Sequence, residues 1–238
     1  MGIVEMMFLM LGLSFTGCDA EGLDVHVPRG GPSAVQPAAI KRDLWKMTDP
    51  RLAGRVPGSS GSHWVATHLE NGMEAAGLRP AFDGEYRRDL GENVGEMVCG
   101  VRRGSGDQAV LIAAMDPGIG TMSVVPMAGL LSLAATFEAP QAPMHSLFFC
   151  SIPEASGLAG LPGRSPVSMQ SLLEVFIIGT LTGPKLFDGI GPTVGHVQSR
   201  VLHSGPLAAD LNVEVGQLDY GTIRDRLVDV HSVVAAVD

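Results

Sequence analysis

Glu154 is a carboxylate to weigh for chemistry, although a solvated loop carboxylate is its ordinary reading. It follows the apolar run Ser146 to Ile152 (SLFFCSI), at the edge of a turn-rich stretch. A carboxylate there could serve as a general base, provided a nucleophile is held within reach. Seven histidines raise the question of a metal, because His with Asp, Glu or Cys at fixed spacing holds zinc. Their spacing argues otherwise. His63 and His68 are five apart on a helical pattern, about 140° round the axis, so they do not share a face. His196 and His203 have no Asp, Glu or Cys between them. Ser156 lacks the G-x-S-x-G setting of a nucleophile elbow. Cys99 and Cys150 lie in apolar runs and read as buried thiols. A disulfide between them stays open in an oxidising compartment, but the sequence does not place them in contact.

Cys18 invites a different chemistry. Met6 to Gly17 (MMFLMLGLSFTG) is apolar but shorter than the ~20 residues that span a bilayer. It fits the hydrophobic region of a secretory signal. Phe15-Thr16-Gly17-Cys18 resembles a bacterial lipobox, in which the cysteine is lipidated and becomes the mature N-terminus. The segment before it departs from the pattern, since Met1 to Glu5 has no Lys or Arg and carries Glu5. The alternative is a buried N-terminal helix with Cys18 an ordinary thiol. On the lipoprotein reading, residues 1–17 are the signal and 18–37 a polar tether. Residues 38–238 are then a domain in water, held by acyl chains to a membrane of the bacterial envelope, on its periplasmic or outer surface.

The elements that would position these groups are legible from periodicity. Ala38 to Met47 is helical, and Leu52 to Gly61 (LAGRVPGSSG) is a loop. A helix from Ser62 to about Ala76 aligns Val65, Leu69, Met73 and Ala76, and Gly77 suits its C′ position. Asn93 to Val101 and Ala109 to Met115 read as strands, and the polar, Gly-containing Arg102 to Gln108 between them suits a hairpin. Pro126 to Phe137 is helical, with Met127, Leu130, Leu131 and Ala134 buried. Ser146 to Ile152 and Leu172 to Gly179 are continuous apolar runs, as in strands covered on both faces. Asp219 caps a last helix from Tyr220 to about Ala236, with Leu218 and Ile223 at the staple positions. Alternating strands and helices predict an α/β fold of three layers with a mostly parallel or mixed sheet. With 45% hydrophobic and 17% charged residues, a packed core is expected. A formal charge of −9 without a basic run excludes nucleic acid as a natural partner.

The order of four stretches resembles the zinc aminopeptidase family that includes bacterial leucyl aminopeptidases, glutaminyl cyclases and the transferrin receptor ectodomain. Arg51 to Pro80 is similar to its "GR-x-PG" loop and following helix, with Arg55 at a position that helps hold that loop. Asn93 to Gly100 and Val110 to Gly120 resemble its first strands. Ser146 to Gly160 resembles the strand and loop bearing its Glu-Glu pair, and Leu218 to Val237 its C-terminal helix. The resemblance implies an aminopeptidase-like α/β/α fold. In active relatives two zinc ions polarise the scissile carbonyl and activate a bridging water.

Position by position, the resemblance implies that the ligands are gone. Met115 and Pro117 stand where a His-x-Asp pair is expected, with Asp116 between them. Val125 stands for the bridging Asp, Ala155 for the Glu ligand and Phe176 for the next Asp. No segment matches the last His. Glu154 keeps the general-base position. Side chains without nitrogen or oxygen donors cannot hold zinc, so no metal or other cofactor is expected. The stretch Pro184 to Gly216 is also shorter than its family counterpart. The implied protein is a lipid-anchored, catalytically inactive aminopeptidase-like domain with a binding or scaffold role toward peptides or envelope proteins. An active peptidase or cyclase with an unconventional site, and a decayed copy, are the rival readings.

Overall fold

The structure is a computed structural model that describes residues 30–52, 55–91, 93–116, 124–138, 142–153, 165–179, 181, 187–194, 197–203 and 215–237. Cys18, Pro117, Glu154, Ala155, Ser156 and His196 lie outside these residues.

Eight strands form one mixed sheet: β1 (Arg79–Pro80), β2 (Arg87–Asp89), β3 (Glu96–Arg102), β4 (Ala109–Asp116), β5 (Ser146–Pro153), β6 (Leu172–Ile178), β7 (Phe187–Val194) and β8 (Val197–His203). The order is β1-β3-β5-β4-β6-β8-β7, with β2 also on β3. β4, β5, β6 and β8 run parallel, while β3 is antiparallel to β5 and β7 to β8. The continuous apolar runs are parallel strands buried on both faces. In β4, Val110, Ile112 and Ala114 enter one core while Ala109, Leu111 and Ala113 enter the other.

Four helices, α1 (Pro37–Met47), α2 (Ser60–Ala75), α3 (Val125–Thr136) and α4 (Tyr220–Ala235), all contribute to the first core. α3 is buried along nearly its whole length, and α1, α2 and α4 all pack on it. The opposite core is closed, among the described residues, by Phe82, Leu90 and Val167 instead of a third layer of helix.

The caps follow the sequence. Ser59 Oγ accepts from Ser62 N to start α2. At its end Gly77, with φ of +72°, turns the chain in the left-handed region, and Leu78 N donates to Met73 O. That is the hydrogen bond of a glycine-stopped helix. Asp219 caps α4 by accepting from Thr222 N.

The expected hairpin between β3 and β4 is not there. β5 lies between them, so Arg102 to Gln108 crosses the start of β5. The crossing is tight: a Cβ on Gly104 would sit 2.3 Å from the His145 carbonyl carbon, and Gly104 N donates to Ser146 Oγ. Cys99 and Cys150 are also not separate thiols. The same insertion makes them cross-strand partners, with Cα atoms 4.2 Å apart, and they are joined as a disulfide. The β7–β8 hairpin, which periodicity did not reveal, completes the far edge of the sheet.

Candidate functional site

The carboxyl ends of the parallel strands are where an open α/β sheet holds its ligands. Here β4 ends with Met115 paired to Ile152, and Asp116 to Pro153. A small cavity of about 60 Å³ opens at this end, lined by Arg55, Ser62, Glu96, Asp116, Ser151 and Pro153 among others. The sheet supplies Glu96, Asp116 and Ser151, α2 supplies Ser62, and the loop before α2 supplies Arg55.

Arg55 is the charged centre of this site. It is only 7% exposed, and its Nη1 donates to Met47 O at 3.2 Å, tying the loop to the end of α1. Burial pushes its guanidinium below the ordinary value, and the Asp116 carboxylate acts in the opposite sense. The loop-holding role that the sequence suggested for Arg55 therefore has a visible hydrogen bond. The part played by Asp116 was missed. Its only sequence signal was its place between two expected ligand positions.

The remaining carboxylates and histidines are engaged elsewhere. Glu96 Oε2 lies 2.8 Å from His63 Nδ1 and 4.0 Å from Arg87 Nη1. His68 Nε2 lies 3.4 Å from Asp43 Oδ1, on α1, and its ring stacks on Trp64. Burial would raise the Asp43 carboxyl, but the neighbouring His68 ring and the Arg42 guanidinium outweigh it and hold it below its ordinary value. The two histidines thus serve two different carboxylates, as their separate helix faces require.

Three of the five substituted positions are described. Met115 closes β4 and packs against the second core. Val125 opens α3 and is fully buried. Phe176 is fully buried but does not share the level of Met115. It pairs with Ile112, three residues deeper along β4, and the Arg200 guanidinium lies 5.1 Å from its ring centroid. Ile178, paired with Ala114, is the β6 residue nearest the strand ends. An alignment of motifs cannot see this depth, because register is set by pairing across strands.

Zinc needs several nitrogen, oxygen or thiolate donors converging at about 2 Å. Val125 and Phe176 have none, and the Met115 thioether is a soft, weak donor. Among the described residues no group of three His, Cys, Asp or Glu is placed to hold a metal ion. These residues do not fit the zinc pair. Beside them lies a small pocket of mixed polar and apolar lining, with room for a water or two, that includes the buried Arg55.

No family profile matches the chain, and no curated protein matches it in sequence. Solved structures do. A leucine aminopeptidase precursor from Bacteroides thetaiotaomicron VPI-5482 superimposes with a TM-score of 0.61 at 11% identity, over 88% of this chain and 98% of that one. The glutaminyl cyclase of Bacteroides thetaiotaomicron, bound to N-acetylhistamine, gives 0.61 at 10%, over 88% and 99%. The aminopeptidase from Aneurinibacillus sp. strain AM-1 gives 0.64 at 8%, over 85% and 94%. The chain has the fold of the zinc aminopeptidases and glutaminyl cyclases. At these identities the likeness is one of fold, and chemistry has to be read from the site itself. In this aminopeptidase-like domain the described strand ends hold Met115 and Asp116, and Arg55 lines the same cavity as Asp116.

Proposed function

We propose that the chain is a lipid-anchored envelope protein whose aminopeptidase-like domain binds peptides or envelope proteins without cleaving them. The observation that supports this most is the state of the strand ends. Met115 and the fully buried Val125 occupy positions that resemble those of ligands, and the Asp116 carboxylate lines the same small cavity as the Arg55 cation. Hydrolysis of an amide needs an activated water and stabilisation of the developing oxyanion. Among the described residues no group of three His, Cys, Asp or Glu is placed to hold a metal that would activate the water. The Cys99–Cys150 disulfide supports an extracytoplasmic home, because such bonds persist in oxidising compartments. The tether rests on Cys18 and the apolar run before it.

Two measurements test this reading. The purified chain, supplied with zinc, should release no amino acid from chromogenic aminoacyl amides and should form no pyroglutamate from a glutaminyl peptide. Turnover of either substrate, lost on chelation, would establish an active enzyme instead. Labelled palmitate should enter the wild-type chain in bacteria and not the Cys18→Ser variant; equal labelling of the two rules out the anchor.

A further inference from the structure

α1 presents two contrasting faces. Ile40, Asp43, Leu44 and Met47 are buried, while Ala38, Lys41, Arg42, Trp45 and Lys46 are exposed. At about 100° per residue the exposed set covers about 140° of the helix. Trp45 stands 55% exposed, whereas the other large apolar side chains of α1 are covered. Three cations surround it on a chain of formal charge −9, and they include two of its three lysines.

Neighbouring carboxylates offset this charge only in part. Asp43 lies beneath the face, 3.1 Å from Arg42 Nε and 3.4 Å from His68. Lys41 Nζ lies 5.8 Å from the Tyr220 ring centroid, a contact that leaves its charge intact. Asp219, beside Tyr220, accepts hydrogen bonds from Thr222.

An indole among ammonium and guanidinium groups on one helix surface matches the chemistry of a lipid headgroup layer. Cations meet phosphates, and an indole settles between headgroups and chains. We propose that this face of α1 docks the domain on a membrane surface rich in anionic lipids, with Trp45 seated at the interface. The docking rests on the anchored reading only for bringing α1 to a bilayer. At most the 12 residues from Cys18 to Arg29 extend as a tether, about 40 Å, because Gly31 bonds to Thr136 and Val35 packs in the core, so an anchored domain stays within reach of the surface.

The test uses the full chain with Cys18→Ser, which removes any acyl group, and Trp64→Phe, which leaves Trp45 as the sole tryptophan. Vesicles of phosphatidylcholine, with or without phosphatidylglycerol, are the probe. With phosphatidylglycerol, Trp45 emission should shift to the blue and the chain should sediment with the vesicles, both weakening as salt rises. Adding Lys41→Glu and Lys46→Glu should lower partitioning at least about tenfold and leave thermal unfolding unchanged, since both residues are exposed. The apolar N-terminal segment is common to both chains, so the difference between them reports on α1 alone. Equal partitioning, or a Trp45 emission unmoved by anionic vesicles, overturns the proposal. So does a shift produced by polyglutamate and not by vesicles, which would assign the face to an acidic protein. Failure of palmitate labelling at Cys18 would remove the anchor and leave the vesicle result standing.

Discussion

At the scale of single residues, two positions that resemble ligand positions, Val125 and Phe176, lie in the core. Val125 is fully buried among apolar side chains, so Val125→Asp should place a carboxylate in the core, out of reach of solvent. A loss of about 3–5 kcal/mol in urea unfolding is expected; a change under about 1 kcal/mol would mean that the position tolerates a ligand-type side chain. Arg55 makes the complementary case. Arg55→Met removes the donor to Met47 O and the cation beside Asp116, and should cost about 1–3 kcal/mol. Asp116→Asn should cost less, because Asp116 is only half-buried. His231 offers a pH test. Thr136 Oγ1 donates its one proton to Leu133 O at 2.6 Å. The 2.8 Å contact with His231 must then have Nδ1–H as donor, so protonation adds a proton at Nε2. Burial lowers the His231 pKa below its ordinary 6.5. The unfolded chain therefore binds more protons just below that value, and folding stability should fall as pH drops through this window. The fall should stop once the folded-state pKa is passed. His231→Gln should flatten this part of the stability profile, and an unchanged slope would show that other groups produce it.

At the scale of elements, local signals were read well and crossings were not. The sequence reads Ser59, the cap of α2, as loop, but the four helices, the cap at Asp219 and the stop at Gly77 depend on neighbours within a turn or two. They were legible to within a few residues. Asp219→Ala should cost about 1 kcal/mol, measured by thermal unfolding, through loss of its hydrogen bond to Thr222 N. The path from β3 to β4 depends on β5, a strand more than thirty residues further along the chain, and nothing local announces it. A polar, Gly-containing link between two apolar runs looks the same whether the runs pair or another strand lies between them. Gly104 separates the two cases. In a free hairpin loop Gly104→Ala would be harmless. In the observed crossing its methyl meets the His145 backbone, and a loss of about 1–3 kcal/mol is expected.

At the scale of the whole molecule, the sheet decides which distant residues meet. Cys99 and Cys150 are 51 residues apart in sequence, and only the β3–β5 register puts them face to face. For the same reason Phe176 resembled a ligand position in sequence yet lies three residues deeper than Met115 on the neighbouring strand. The sequence places Met115 and Val125 through short local motifs, at the end of β4 and the start of α3. The meeting of Arg55 and Asp116 at one cavity was not legible, because it joins a loop before α2 to the end of β4. The joint variant Cys99→Ala/Cys150→Ala should unfold about 2–4 kcal/mol more easily, and the wild-type chain should resist alkylation until it is reduced. Reactive thiols in unreduced folded protein would contradict the bond. The most direct test of a strand-end pocket that does not grip ions is the zinc content of the full chain after exposure to the metal and exhaustive dialysis. Far less than one zinc per chain is the expected result. One or two tightly held zinc ions per chain would contradict it, and would mean that donors converge on this end of the sheet after all.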